Sequence, residues 1–289
     1  MGNGVDLRML ANNGGSVVIS DYGAHLLRWA PAGQADVVWT PSTWHIEAGK
    51  SLGGGVPICF PWFGPGFAHG KQLALNPSHG FARLRRWALD EGSFDDSHIR
   101  YVLDSQQLND NEVPWFDDEP GAQFHAVYDV QTGNALTMSL TVINTGAAPM
   151  SYEAALHSYL HVGDVSGAQL VGLQGATYLD ATEEGFPPKT QDAQVVTFGE
   201  QPVNRVYYSD ARLELRDDML GRAIHISRTG SPQTVVWNPG ADGDNMSYTK
   251  PGEWRGFVAV EAAVCRDRIV TLGPGESHVI SQTLSVGSL

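Results

Sequence analysis

The sequence contains few cysteines, which limits how the chain can be held together. Cys59 and Cys265 are the only two in 289 residues, too few for a disulfide framework or for a zinc site built on thiolates. Because free cysteine is among the most buried residue types, we expect both thiols to be reduced and interior. A chain of this length can instead fold by burying apolar surface, without covalent cross-links.

Positive charge is also scarce. Lys and Arg total 18 against 32 Asp and Glu, which gives a formal net charge of −14. Such a surface repels the phosphates of nucleic acids and of anionic lipids, so we expect neither as a partner. An anionic small molecule would need a local basic pocket.

Long apolar runs are missing as well. No stretch approaches the roughly 18 apolar residues that span a bilayer. Residues 1–20 lack a basic region followed by an apolar core and a cleavage site. We therefore expect a soluble cytoplasmic protein that has no membrane partner and is a monomer.

Alternating and β-branched runs supply most of the regular pattern, which is typical of strands. A Gly-containing connector at 131–134 and the segment 217–221 indicate hairpin turns, whereas the acidic segment 106–122 indicates an exposed loop. The pattern predicts one all-β domain over 1–289 with few short helices, either a large antiparallel sandwich or a barrel-like double sheet. The runs that carry it are 16–20, 36–40, 124–130, 135–143, 234–238, 256–264 and 278–286.

The segment SYEAALHSYLHVGD, 151–164, carries ionisable groups on one side of a predicted strand. Opposite a mainly apolar face, alternation places four polar side chains: Glu153, His157, Tyr159 and His161. That second face is either exposed to solvent or part of a site. His157 and His161 have the spacing of a helical metal pair, but on a strand their Cα atoms are about 13 Å apart, so we expect no metal.

Glu261 is the only acidic or basic residue between Arg255 and Arg266 apart from the weakly acidic thiol of Cys265. On a strand it shares a face with small apolar residues, where a carboxylate is costly unless it is paired or has a chemical task. Burial would raise its pKa towards the range useful for a general base. A structural glutamate, bound to a nearby arginine or backbone amide, is an equally open alternative.

Positive residues cluster in PSHGFARLRRW, 77–87, which contains His79, Arg83, Arg85 and Arg86. The planar guanidinium suits carboxylate or phosphate groups. Alternation separates Arg83 and Arg85 from Arg86, so at most two of them can face one ligand. His79, taken alone, is more often structural than catalytic.

Together these segments resemble one family, the hexose-6-phosphate mutarotases, within the wider group of aldose-1-epimerase-like proteins. The resemblance implies a large antiparallel β-sandwich of the galactose-mutarotase type, with a sugar site on a concave face and no cofactor. The pieces that carry it are GGVPICFPWFG at 54–64, HGFAR at 79–83, ALHSYLHVGD at 155–164, VVWNPG at 235–240 and VEAA at 260–263.

The resemblance also implies roles for single residues. His157 would be the general acid and Glu261 the general base that open and close the ring of a hexose 6-phosphate, with glucose 6-phosphate the first candidate. General acid–base transfer of this kind needs no metal, nucleotide or redox group. Around the sugar the resemblance implies two further contacts, His79 and Arg83, the latter as a phosphate or hydroxyl ligand. The aromatic-rich stretch 56–87 adds the rings of Trp62 and Phe81 as candidate sugar-facing groups.

Two positions depart from the family pattern. Gly53 stands where the family usually has the arginine of RGGVP, which contributes to phosphate binding in characterised relatives. Asn204 stands in VNRVYY where the family has an aspartate that contacts the sugar. Four cations are candidates to replace the missing charge: Lys71, Arg85, Arg86 and Lys189.

Three functions therefore stay open. The first is anomerisation of a hexose 6-phosphate. The second, motivated by Gly53, is anomerisation of an unphosphorylated or differently charged aldose. The third is a non-catalytic sugar-binding or sensor protein on the same fold, against which the retention of both His157 and Glu261 counts.

Overall fold

Antiparallel strands make up almost all of the regular structure. The computed structural model describes residues 6–68, 70–108 and 122–289. The strands are β1 (Leu7–Asn12), β2 (Gly15–Ser20), β3 (His25–Pro31), β4 (Ile58–Cys59), β5 (Phe67–Ala68), β6 (Lys71–Gln72), β7 (Ala88–Leu89), β8 (His98–Asp104), β9 (Phe124–Thr132), β10 (Ala135–Asn144), β11 (Met150–Tyr152), β12 (Ala154–Leu156), β13 (Tyr159–His161), β14 (Ala168–Val171), β15 (Thr177–Asp180), β16 (Pro188–Thr190), β17 (Val195–Thr197), β18 (Val203–Tyr207), β19 (Leu213–Asp217), β20 (Arg222–Thr229), β21 (Gln233–Asn238), β22 (Phe257–Val264), β23 (Val270–Leu272) and β24 (Ser277–Ser288).

Two large sheets carry most of these strands. A nine-stranded sheet has the order β17-β14-β19-β20-β24-β10-β9-β8-β7. An eight-stranded sheet has the order β16-β15-β18-β21-β22-β12-β4, with β13 also paired to β22. Smaller sheets are formed by β1-β2-β3, β11-β23 and β5-β6. The predicted antiparallel all-β fold is confirmed.

Alternating burial explains why these segments become strands. In β9 and β10 every second side chain is buried, and the two strands pair as a hairpin over the predicted turn. The turn at 217–221 likewise joins β19 to β20. Of the expected loop at 106–122, residues 109–121 lie outside the described part of the chain.

The predicted strand at 36–40 is wrong. Only an isolated bridge between Val38 and Leu160 forms there. Val37, Val38 and Trp39 are all buried, so this run is apolar because it packs into the core, and it does not alternate between a buried and an exposed face. A short apolar run does not by itself identify a strand.

Strand β22 lies between the core and the cavity described below, and all eight of its residues are buried. Val258, Val260 and Ala262 belong to the main core between the two large sheets. Across that core, the Gln282 side chain of β24 donates a hydrogen bond to the carbonyl oxygen of Val260 at 2.9 Å. The opposite face of β22 carries Glu261.

Helical structure is limited, over the described residues, to short 3-10 turns. No helix among them is long and apolar enough to cross a membrane. Both cysteines are buried and free, as expected. The 3-10 turns are Ala82–Leu84, Glu91–Ser93, Ser105–Gln107, Val165–Gly167, Gly240–Asn245, Glu253–Gly256 and Arg266–Arg268.

Candidate active site

A cavity of about 600 Å³ opens on one face of the eight-stranded sheet. Side chains of β18, β21 and β22 form its floor, and its walls come from the segments 51–53, 63–67 and 246–248. The cavity contains both His157 and Glu261. The sheet therefore brings together two residues that are more than a hundred positions apart in the sequence.

Strand register sets the distance between His157 and Glu261. Leu156 pairs with Ala262 and Tyr159 pairs with Ala259, so residue 157 comes opposite residue 261. His157 Nε2 lies 3.5 Å from Glu261 Oε1. Both side chains are buried, with 7% and 1% of their surface exposed.

Each member of this pair keeps one polar atom without a partner. Over the described residues, neither His157 Nδ1 nor Glu261 Oε2 makes a hydrogen bond, and both atoms are buried. Buried polar atoms in native proteins are normally hydrogen-bonded, and exceptions are frequent at functional sites. The arrangement leaves one acceptor and one imidazole nitrogen for a bound molecule.

Burial also disfavours charge on both groups. It lowers the pKa of His157 well below its usual value, helped by the positive charge of Arg83 and, in acid where its ring is protonated, by that of His79. It raises the pKa of Glu261 well above its usual value. Burial therefore favours the uncharged form of the pair, which holds one proton, over the forms that hold two protons or none.

His79 forms part of the wall beside His157, and their ring centroids are 5.7 Å apart. The Gly64 amide donates to His79 Nδ1 at 3.2 Å, so the ring proton is on Nε2. Burial, with a smaller effect from Arg83, lowers the pKa of His79 to about 3. His79 is therefore a neutral hydrogen-bond donor near neutral pH.

The residue after His79 has to be a glycine. Gly80 has a φ of 74°, and a Cβ there would lie 2.1 Å from the carbonyl oxygen of Phe60.

Arg83 also lines the cavity. One of its terminal nitrogens donates to the carbonyl oxygen of Ser78 at 2.6 Å, and its Nε is buried without a partner. Among the described residues no carboxylate forms an ion pair with it. Its charge therefore remains available to an anion or a hydroxyl group in the cavity.

A second buried carboxylate, Glu153, lies in the same wall and has its oxygens occupied. The backbone amides of Phe63 and Phe67 donate to its Oε2 at 3.1 and 3.0 Å. The Arg266 amide donates to its Oε1 at 2.6 Å. Burial raises the pKa of Glu153 to about 7, against these hydrogen bonds and the charge of Arg266. Glu153 thus ties two walls of the cavity together.

Arg266 is a second lining cation that the sequence pattern did not single out as a ligand. Its guanidinium carbon lies 3.8 Å from the ring centroid of Phe186, a cation–π contact. Arg266, Phe186 and His79 all have left-handed backbone conformations, with φ of 59°, 53° and 63°. Such conformations are strained for residues other than glycine and cluster at functional sites. Arg266 lies two residues after the end of β22. That position, directly after the strand that carries Glu261, is the sequence signal by which Arg266 could have been identified as a lining residue.

The proposed sugar-facing rings are placed differently. Trp62 and Phe81 are 5% and 3% exposed, and their ring centroids are 5.7 Å apart in an edge-to-face contact. Neither lines the cavity, because both rings are used to fill the core. The structure therefore does not bring these two predicted sugar contacts to the cavity. Within the described part of the chain, the aromatic residues that do line the cavity are Phe63, Phe67, Tyr159, Phe186, Trp237 and Tyr248.

Asn204 lies on the cavity floor, and Gly53 lies in its wall. None of the four cations considered as replacements for an arginine at position 53 lines the cavity. Lys189 pairs with Asp180 at 2.9 Å. The other three, Lys71, Arg85 and Arg86, also lie outside it. His161 is outside as well, and its Nδ1 lies 3.1 Å from the carbonyl oxygen of Asp36.

Known proteins share both the sequence pattern and the fold. The model of the family described as aldose 1-epimerase matches residues 6–285. A Salmonella typhimurium protein named "Putative glucose-6-phosphate 1-epimerase" is 32% identical over 241 residues, which cover 83% of this chain and 76% of that protein. An Escherichia coli protein of the same name is 29% identical over 243 residues, covering 83% and 77%.

Solved structures of other proteins show the same fold. The crystal structure of a "putative mutarotase" from Salmonella typhimurium has a TM-score of 0.84 at 26% identity, covering 100% of this chain and 92% of that one. A "galactose mutarotase-like protein" from Lactobacillus casei has a TM-score of 0.75 at 15% identity, covering 98% and 100%, which shows the shared fold. The fold is thus that of the sugar mutarotases. With the match over nearly its whole length, this chain belongs to the aldose 1-epimerase family.

Proposed function

We propose that this protein interconverts the α and β anomers of a hexose 6-phosphate, with glucose 6-phosphate as the first candidate. The observation that carries the proposal is the buried contact between His157 and Glu261, two residues that line the cavity and that each keep one polar atom without a hydrogen-bond partner. The names of the most similar relatives support the phosphorylated substrate.

Two coupled proton transfers are sufficient for the reaction. Glu261, as carboxylate, removes the proton from the C1 hydroxyl, while His157, as imidazolium, donates one to the ring oxygen. The C1–O5 bond then breaks, C1 becomes a free aldehyde, and rotation about C1–C2 precedes the reverse transfers. Each such transfer contributes about 10²–10⁴-fold to the rate.

The shared proton fits this chemistry. An acid and a base are needed at the same time, so the productive pair holds one proton in total. Placing that proton on His157 gives the acid and the base together, without changing the net charge of the buried pair. Neutral His79 adds a hydrogen-bond donor without adding a charge that would repel the imidazolium.

Arg83 is the proposed ligand of the phosphate. Its guanidinium lines the same cavity and has no carboxylate partner among the described residues. Arginine binds phosphate oxygens through directed hydrogen bonds. Asn204, on the floor, is the proposed partner of a sugar hydroxyl.

A second substrate class, an unphosphorylated aldose, is favoured by Gly53, because this position supplies no charge. Saturation-transfer NMR of the exchange between anomers distinguishes the two, with glucose 6-phosphate, glucose and galactose as substrates. We expect acceleration of the phosphorylated sugar by the wild type and loss of that acceleration in Glu261→Gln. Acceleration of free sugars only would establish the second class. Binding with exchange at the spontaneous rate for all three would disprove catalysis.

A further inference from the structure

Gly53 and Tyr248 compete for the same space in the cavity wall. A Cβ built at position 53 would lie 2.2 Å from both Cδ2 and Cε2 of the Tyr248 ring, far inside van der Waals contact. The backbone at Gly53 is not in the left-handed region, so its conformation would accept other residues. The three atoms nearest to that Cβ all belong to the Tyr248 ring, so with the ring in this place only one of the two positions can present a side chain to the cavity.

The hydroxyl of Tyr248 lies in the part of the cavity where Tyr159 and Arg83 meet, since the charge of Arg83 lowers the pKa of both phenols against the effect of burial. It lies 3.2 Å from the hydroxyl of Tyr159. The Tyr159 ring in turn stacks on His157, with centroids 4.8 Å apart and planes at 12°. The structure thus links Tyr248 to the proposed acid through a single intervening ring.

The hydroxyls of Tyr159 and Tyr248 carry two hydrogens, and the hydrogen bond between them uses only one. Only one hydroxyl can donate in the hydrogen bond between Tyr159 and Tyr248, so the other keeps a donor for a further acceptor. Burial raises the pKa of both groups, so both hydroxyls stay protonated near neutral pH. An acceptor oxygen of a molecule in the cavity can accept a hydrogen bond from this free hydroxyl.

We propose that Tyr248 is a specificity-determining residue, which donates a hydrogen bond to the substrate's phosphate while its ring keeps a second cation out of position 53. The proposal rests on the proposed function. Recognition of the phosphate in this chain then uses one guanidinium, that of Arg83, and one neutral hydroxyl. The proposal predicts that loss of the Tyr248 hydroxyl weakens the binding of phosphorylated substrates more than the binding of free sugars.

Removing only the hydroxyl tests the hydrogen bond. We expect Tyr248→Phe to raise KM for glucose 6-phosphate by about three- to tenfold, the change expected for one lost hydrogen bond, and to lower kcat by less. The KM for glucose should change by less than about twofold. Tyr208→Phe is the matched control, since that hydroxyl binds Asp267 outside the cavity. Equal changes for the two sugars, or none, would overturn the proposal.

Exchanging the two positions tests the competition. Gly53→Arg alone should displace the Tyr248 ring and raise KM for both sugars. Combining Gly53→Arg with Tyr248→Gly should restore binding of glucose 6-phosphate, so the effects of the two changes are not additive. Additive effects, or a Gly53→Arg variant with wild-type KM values, would contradict the shared space. Thermal unfolding of each variant identifies any that do not fold.

Failure of this proposal can be told apart from failure of the proposed function. If the wild type does not accelerate anomer exchange, the function is wrong, and calorimetric Kd values for glucose 6-phosphate and glucose replace the KM values. A Tyr248→Phe variant that weakens binding of the phosphorylated sugar selectively still supports the role of Tyr248. An unchanged ratio of the two Kd values, or no binding of either sugar by the wild type, overturns it.

Discussion

Glu153 and Glu261 lie in the same cavity lining and are almost equally buried, at 0% and 1% exposure. Burial raises the pKa of both. They differ in their partners: Glu153 accepts three backbone N–H groups, whereas Glu261 Oε2 has no hydrogen bond among the described residues. The hydrogen-bond inventory, rather than burial, therefore separates a carboxylate that holds walls together from one available for proton transfer.

The sharpest test of this comparison is Glu261→Gln. Because the amide cannot accept the C1 proton as a base, we expect anomer exchange to slow by about 10²–10⁴-fold. The free energy of unfolding should change by less than about 1 kcal/mol, since a neutral amide replaces a carboxylate with few partners. Saturation-transfer NMR and denaturant unfolding measure the two effects. A large loss of stability with little loss of exchange would reverse the roles of the two glutamates.

Glu153 should show the opposite balance. Glu153→Ala leaves three backbone amides without their acceptor, so we expect the free energy of unfolding to fall by about 3 kcal/mol. Glu153→Gln keeps one acceptor oxygen and should cost less. Denaturant unfolding curves of the two variants check the order. An alanine variant as stable as the wild type would show that Glu153 is not a structural anchor.

The same distinction applies to two arginines. Arg222 donates to the carbonyl oxygens of Ala35, Asp36 and His161 at 2.8–3.0 Å, whereas Arg83 has one such partner. We expect Arg83→Ala to raise KM for glucose 6-phosphate by about tenfold, far more than KM for glucose. Arg222→Ala should lower stability instead. Equal KM changes for the two sugars would remove Arg83 from phosphate recognition.

The smallest expected effect is that of pH on kcat, which should stay nearly constant around neutral pH. Burial moves the pKa of His157 well below 6.5, so the pair gains no second proton as pH falls through that value. Burial moves the pKa of Glu261 upwards, so the shared proton is retained as pH rises past 4.5. We expect kcat of Glu153→Gln, the variant that removes the cavity carboxyl whose pKa burial raises to about 7, to change by less than about twofold from about pH 5.5 to about pH 8. A marked inflection near pH 6.5 would show that His157 titrates as an exposed histidine.

Local sequence patterns were sufficient for much of the fold. The alternation in 124–130 and 135–143 predicted β9 and β10, and the face assignment in 151–164 placed Glu153, His157 and Tyr159 together, as the cavity has them. The same alternation placed His161 with them, but it lies outside the cavity. Alternation along a strand predicts which side chains share a face of the sheet. It does not predict which part of that face a cavity covers.

Long-range relations could not be obtained from one sequence. The pairing that brings residue 157 opposite residue 261 depends on register between separate strands. Trp62 and Phe81 show the related difficulty that an aromatic-rich loop can fill a core as readily as it can line a site. The exclusion between Gly53 and Tyr248 joins positions far apart in the chain, so no local pattern could reveal it.

Strand β22 has a practical consequence for protein engineering. It is buried along its whole length, with Val260 in the core and the adjacent Glu261 in the cavity. A library that repacks the interior along this strand would also move the carboxylate proposed as the general base, so thermostability screens there would select on turnover at the same time. Changes of substrate range are better sought in the loop segments 51–53 and 246–248, which can vary without shifting the strand.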